Sequence, residues 1–354
     1  MTRRPRKAAK EPTRRQFLST LVIGAAYTAC GDPAHEIAAI PGSGVPNPRS
    51  DASAADGRMG TGVPGDAAGS PTDAASAPDA TGSPEPRPDA RSADAGSTRK
   101  SASDQVMLGA TGIMVSRLAM GSGTHGSGGT SAQTELGVAT FARLLVEGYH
   151  EQGITFWETA DQYGSHPHLK EAMRQVGRQN VVVITKSHAQ TASQMQTDVE
   201  RFLMELGTDH IDAILLHAIT SATWTQECAG AMEYLARAKE RGLIRAHGTS
   251  CHSLEALRLA ARTPWVEVDF ARINPARIQM DADPATVISV LRDMRAAGKG
   301  VVGMKILGVG QLANQMDTAV RHAVQLDAID SFTIGFTSRT QLDQLVTKIT
   351  QVQA

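Results

Sequence analysis

"VVVITKSHAQTASQMQTDVERFLMELGTDHIDAILLH", residues 181–217, reads as a strand, a helix and a second strand. The first apolar run, VVVITK, stops at Lys186. The segment ASQMQTDVERFLMELG has helical period and closes on Gly207, a residue suited to the left-handed end of a helix. The second run, AILLH, stops at His217. Each run is apolar until its last position, and a strand–helix–strand unit of this kind is the building block of a parallel sheet.

The same unit repeats on both sides. Upstream lie SRLAMG and ITFWE, and downstream IRAHGTS, VEVDFARIN, VVGMK and SFTIG, with helical segments between them; three of those segments close on Gly153, Gly242 and Gly300. Eight such units in about 250 residues is the arithmetic of a closed (β/α)8 TIM barrel, an α/β fold, expected over residues 105–354 as one domain. An open, doubly wound sheet is the competing architecture, but it needs fewer strands and a glycine-rich first turn.

In a closed barrel the strand C-termini converge on one mouth, where loops carry chemistry. The last residues of successive runs are Glu158, Lys186, His217, Ser250, Asn274 and Lys305, and Tyr163 follows Glu158 in ITFWETADQYG (154–164). Asn274 or Lys305 alone reads as an ordinary boundary residue. A carboxylate, an ammonium, a phenol and an imidazole aimed at one mouth read as a site. A phenol is a poor proton donor or acceptor at neutral pH unless its phenolate is stabilised. Lys186 would do that, lowering the phenol's pKa, and Glu158 would keep Lys186 charged. With His217 to hydrogen-bond a substrate oxygen, the set suits proton transfer to a carbonyl oxygen while hydride reaches its carbon. Neither a GxSxG elbow nor a phosphate loop is present to compete.

LGATGIMVSRLAMGSGT, WETADQYG, VVVITK, ELGTDHIDAILLH and GLIRAHGTS resemble, in order and spacing, the motifs of the aldo/keto reductase family. The resemblance implies that Tyr163 is the general acid for carbonyl reduction, that Lys186 tunes it and His217 orients the carbonyl, and that Glu158 occupies the family's aspartate position. It implies Ser250 as the serine that holds a nicotinamide carboxamide, with Gly121 and Thr124 lining the first strand's mouth. The cofactor so implied is NADP, with NAD as the alternative, and the substrate a small carbonyl compound. Four positions depart from the pattern: Glu158 is one methylene longer than aspartate, Cys251 stands for asparagine, Phe270 for glutamine, and Met304 for a stacking aromatic next to Lys305. Ser338 and Arg339 are the donors expected to grip the adenosine phosphate. The departures motivate an alternative, a catalytically impaired nicotinamide- or sugar-binding barrel.

His166 and His168 form an H-x-H pair, which can mark a metal site, but they follow the Tyr163–Gly164 turn where Ser165 and Pro167 read as a helix start. No metal is expected. Asp212 reads as a hydrogen-bonding residue at a strand start. Trp157, Trp224 and Phe336 are the few aromatics near the expected mouth.

The first fifteen residues of the 354 carry seven cations, including Arg14 and Arg15, ahead of a short apolar stretch ending at Cys30. This resembles a twin-arginine export leader over residues 1–30, and Tyr27–Cys30 a lipobox. Residues 31–104 are rich in Ala, Gly, Pro, Ser and Asp and cannot bury enough apolar surface to order themselves. They are expected to act as a disordered tether with a reach on the order of 50 Å. The expected location is exported, periplasmic or membrane-anchored through a lipidated Cys30, with the twin-arginine machinery as a partner. A net charge of −1 offers no field for nucleic acid. Cys228 and Cys251, the remaining cysteines, make no disulfide framework.

Overall fold

The computed structural model describes residues 99–352. The expected leader and the expected tether as far as residue 98 lie outside the described residues. Residues 100–104, assigned to the tether by composition, pack onto the barrel. Lys100 Nζ donates to the Val324 carbonyl (2.7 Å), Ala102 is buried, and Asp104 pairs with Arg117 (3.1 Å).

Eight parallel strands close into a barrel: β3 (Leu118–Gly121), β4 (Phe156–Glu158), β5 (Val182–Ser187), β6 (Ile211–Ile219), β7 (Ile244–Cys251), β8 (Val268–Arg272), β9 (Gly300–Met304) and β10 (Ser331–Gly335), with β10 pairing back onto β3. The helices alternate with them: α1 (Val138–Gln152), α2 (His166–Val176), α3 (Ala192–Leu206), α4 (Trp224–Glu227), α5 (Ala229–Glu240), α6 (Leu254–Arg262), α7 (Pro284–Ala296), α8 (Met316–Gln325) and α9 (Arg339–Gln351). This is the (β/α)8 barrel expected from the repeat.

The strands are apolar on both faces because both faces are covered. Successive residues alternate between two cores. Phe156, Ile184, Leu215, Val268 and Phe270 fill the barrel, while Trp157, Val183, Ile214 and Ala271 meet the helices. Gly153 and Gly207 end α1 and α3 in the left-handed conformation (φ 66° and 65°). Gly300 does not end a helix. Gly298 makes that turn (φ 79°), and Gly300 begins β9, where a Cβ would lie 2.6 Å from Leu108 Cγ.

That contact belongs to a feature the strand count did not anticipate. β1 (Gln105–Met107) and β2 (Met114–Ser116) form an antiparallel hairpin. Its Leu108, Ile113 and Val115 are fully buried and join the barrel-filling core. The hairpin therefore stoppers the end where the strands begin, leaving the opposite end for the site. Among the described residues no helix is long and apolar enough to cross a membrane.

Candidate active site

Alternation along β4 and β5 sends Phe156, Glu158, Ile184 and Lys186 inward, so carboxylate and ammonium stand side by side where the barrel core ends. Lys186 is fully buried. Its Nζ donates to Glu158 Oε1 and to the Thr159 carbonyl (2.9 Å). The longer glutamate fits because Gly121 makes room for it: a Cβ there would lie 2.7 Å from Thr333 Oγ1 and 3.2 Å from Glu158 Oε2. Thr333 also donates to Glu158 Oε2 (3.3 Å).

After β4 the chain turns once as a 3₁₀ helix, Asp161–Tyr163, and leaves it through left-handed Gly164. A buried trio of hydroxyls, Ser122, Thr159 and Ser165, ties this turn to the end of β3, with Ser165 Oγ 2.7 Å from Ser122 Oγ and 2.6 Å from Thr159 Oγ1. The turn places the Tyr163 ring 5.2 Å from Lys186 Nζ, and the Phe270 ring lies 5.0 Å from the same nitrogen. Two glycines of the β3–α1 loop lie against the phenol. A Cβ on Gly123 would come within 2.2 Å of Tyr163 Cε2, and one on Gly126 within 2.3 Å of Cδ1.

His217 is also turned inward, one alternation beyond Leu215 on β6. His217 sits within a bulge against β7 that runs between Leu216 and Ile219, with Ala218 left-handed (φ 53°), an irregularity common beside active sites. The His217 ring meets Tyr163 edge-on at 5.7 Å. A pocket of about 140 Å³ opens beside it, lined in part by His188, Ile219, Trp224 and Glu227.

The electrostatics differ from the expectation in one respect. Burial foremost, and the Glu158 carboxylate second, hold the Tyr163 phenol well above its usual pKa rather than below it. Burial lowers Lys186 while Glu158 opposes the shift. Burial foremost, then the Lys186 ammonium, and after it His188, His252 and Lys305, hold His217 well below its usual value. At neutral pH the site thus presents a protonated phenol and a neutral imidazole.

The structure brings Glu158, Tyr163, Lys186 and His217 together, with Ser250, Phe270 and Met304 on adjoining strands. It places other expected residues elsewhere. Cys251 follows Ser250 directly and so faces the opposite way, into the helix-side core beside Thr249 and Asp269. Thr124 is locked to buried Gln133, whose Oε1 accepts from its backbone N–H (2.9 Å) and whose Nε2 donates to its Oγ1 (2.9 Å). Asn274 organises its own loop through Ile278 and the Lys305 carbonyl. Ser338 caps α9 by accepting from the Gln341 N–H, and Arg339 is held by Glu151 (2.6 Å) and Asp343 (2.7 Å).

Asp212 binds Arg178, Arg245 and the Val183 N–H, all within 2.8 Å. His166 lies between Glu205 (2.7 Å) and Thr185 (2.8 Å), and no group of three or more His, Cys, Asp or Glu among the described residues is arranged to hold a metal. Trp157, Trp224 and Phe336 belong to the helix-side core. Gly123, Gly126, Gln133, Gln162 and His188 went unremarked in the sequence; the run of glycines from 121 to 129 was the available signal.

The sequence profile of the Aldo/keto reductase family matches residues 117–349, from the start of the barrel into its last helix. The chain belongs to the aldo/keto reductase family. Among solved structures, an aldo-keto reductase of Pseudomonas aeruginosa is similar at 22% identity and a TM-score of 0.59, over 73% of this chain and 98% of the other. The holo form of the aldo-keto reductase AKR11C1 of Bacillus halodurans is similar at 17% identity and a TM-score of 0.53, over 70% and 90%. These likenesses bear on the fold. Among curated proteins, the aldo-keto reductase str7 of Strobilurus tenacellus is 26% identical over 179 residues, 48% of this chain and 52% of its own length. The chain thus spans about half the length of that curated relative.

Aldo/keto reductases are oxidoreductases that use nicotinamide cofactors. In this aldo/keto reductase the nicotinamide end of such a group finds a fitting donor: Ser250 Oγ, at the mouth end of β7, is buried without a hydrogen-bond partner. The phosphate end fits less well, since Ser338 and Arg339 are already engaged.

Proposed function

We propose that the barrel reduces an aldehyde or ketone to the alcohol with NADPH or NADH, using Tyr163 as general acid. The observation that carries this reading is the convergence of a protonated phenol, an ammonium 5.2 Å from its ring and a neutral imidazole 5.7 Å away on one barrel mouth. The nicotinamide, when bound, supplies a hydride.

The raised pKa keeps the proton on Tyr163 Oη until negative charge develops on the substrate oxygen. Neutral His217 is suited to hydrogen-bond that oxygen without adding a charge. Lys186, held by Glu158 and the Thr159 carbonyl, lies close enough to stabilise the phenolate left behind. Ser250 would hold the carboxamide, with Phe270 and Met304 on the next two strands at the same mouth. Because Arg339 is committed to carboxylates of α1 and α9, its case as the group that favours NADP over NAD is weak.

Tyr163→Phe removes the proton donor and little volume. NADPH oxidation with 4-nitrobenzaldehyde is expected to fall at least 10²-fold, while NADPH binding, followed by fluorescence, is retained. A Phe variant as active as an active parent would remove Tyr163 as the acid, whereas a parent with no turnover that still binds nucleotide would favour the impaired binding barrel instead.

A further inference from the structure

Outside the four groups already assigned, a second imidazole stands at the mouth. His188 follows the end of β5, is exposed, and stacks on His217 with ring centroids 4.6 Å apart and planes inclined by 27°. Its own orientation is determined by Gln162. The Gln162 amide nitrogen donates to the Gly126 carbonyl (3.2 Å), which leaves Oε1 as the acceptor facing His188 Nε2 (2.8 Å). The neutral His188 ring therefore carries its proton on Nε2.

His217 lacks such a tether. Its Nδ1 is buried with no hydrogen-bond partner, so ring contacts set the plane of this imidazole: Tyr163 edge-on and His188 face-on. Gln162 immediately precedes Tyr163 on the 3₁₀ turn, and its other partner, Gly126, is one of the two glycines pressed against the phenol. One short segment thus carries the phenol and, through Gln162 and His188, holds the imidazole that faces it.

We propose that His188 is a positioning residue whose ring face fixes the plane of His217 relative to Tyr163. This rests on the carbonyl-reducing reading of the site. His188 need not touch the substrate; its effect passes through His217, and a small misplacement of such a group is costly in rate.

The test uses the full chain with His188→Ala and His188→Phe, NADPH and NADH in parallel with 4-nitrobenzaldehyde, and histidine ring resonances from ¹⁵N-labelled protein. The Ala variant is expected to lower kcat about tenfold, leave nucleotide affinity unchanged and move the His217 ring resonances. The Phe variant keeps an aromatic face without the N–H donor, and is expected to return the resonances and most of kcat. Parental kcat in the Ala variant, a Phe variant as slow as the Ala variant, or His217 resonances indifferent to position 188 would overturn the proposal. If the parent oxidises neither cofactor, the carbonyl-reducing reading fails separately, and the resonances alone decide whether His188 sets the ring.

Discussion

Among the described residues, a carboxylic acid on β8 sits beside β7 without a salt bridge. Asp269 is fully buried on the helix side of the barrel; its Oδ1 accepts from Thr249 Oγ1 (2.6 Å), and its Oδ2 has no partner. Burial foremost raises its pKa from 3.8 to about 7, with the Thr249 and Cys251 side chains opposing the shift. Since the folded value lies above the unfolded one, the stabilisation is fully present below 3.8 and is lost as pH rises through about 7. The difference is on the order of 4 kcal/mol at high pH. Asp269→Asn keeps an oxygen for Thr249 and cannot ionise. Its melting temperature relative to the parent is expected to be several degrees higher at pH 8 than at pH 5; equal offsets at the two pH values would show that the parent's acid is not held neutral. The neighbouring Cys251 shows a limit of motif matching. Adjacent strand residues face opposite ways, so Ser250 and Cys251 cannot both point into the mouth, and the period of two already implied this.

The 3₁₀ turn that presents Tyr163 is held from α3. Arg201 donates to both carboxylate oxygens of Asp161 (2.7 and 2.9 Å) and also binds Asp198 (2.8 Å) and Glu205 (3.2 Å). Asp198 accepts from Ser187 Oγ beside Lys186, and Glu205 engages His166 at the start of α2. Arg201 is partly exposed, so the pair with Asp161 is expected to contribute under about 1 kcal/mol to stability. Its larger effect is on geometry. Asp161→Asn is expected to lower kcat for aldehyde reduction about tenfold while leaving nucleotide affinity and the melting temperature nearly unchanged. Parental kcat would show that the turn holds its shape without the clamp. The elements themselves were legible because each barrel strand is a short run, apolar on both faces, between helices that close on glycine or Pro- and Ser-marked starts. Glu158, Lys186 and His217 were legible because strand ends converge. The Arg201 clamp, the Gln162–His188 link and the hairpin were not, because each depends on side chains or strands brought together only after the barrel closes. Nothing in the local period of residues 105–116 distinguishes a stopper from a ninth strand.

For the whole chain, composition separates a barrel from what precedes it, although the contacts of Lys100 and Ala102 put the barrel's first residues inside the stretch read as tether. The Arg14–Arg15 pair and Cys30 motivate the proposal that the barrel is exported and anchored outside the cytoplasm. A reporter fused to residues 1–104 is expected to remain in the cytoplasm when both arginines are exchanged for lysine; undiminished export would refute a twin-arginine route. Wherever the protein resides, its architecture constrains traffic. With Leu108, Ile113 and Val115 seated in one end of the barrel, the described residues leave the opposite mouth as the doorway, and on the proposed function two reactants meeting at Tyr163 would share it. The one seated deeper would then be first in and last out, so a plug on the far side of the molecule would impose a queue on the order in which ligands arrive and depart.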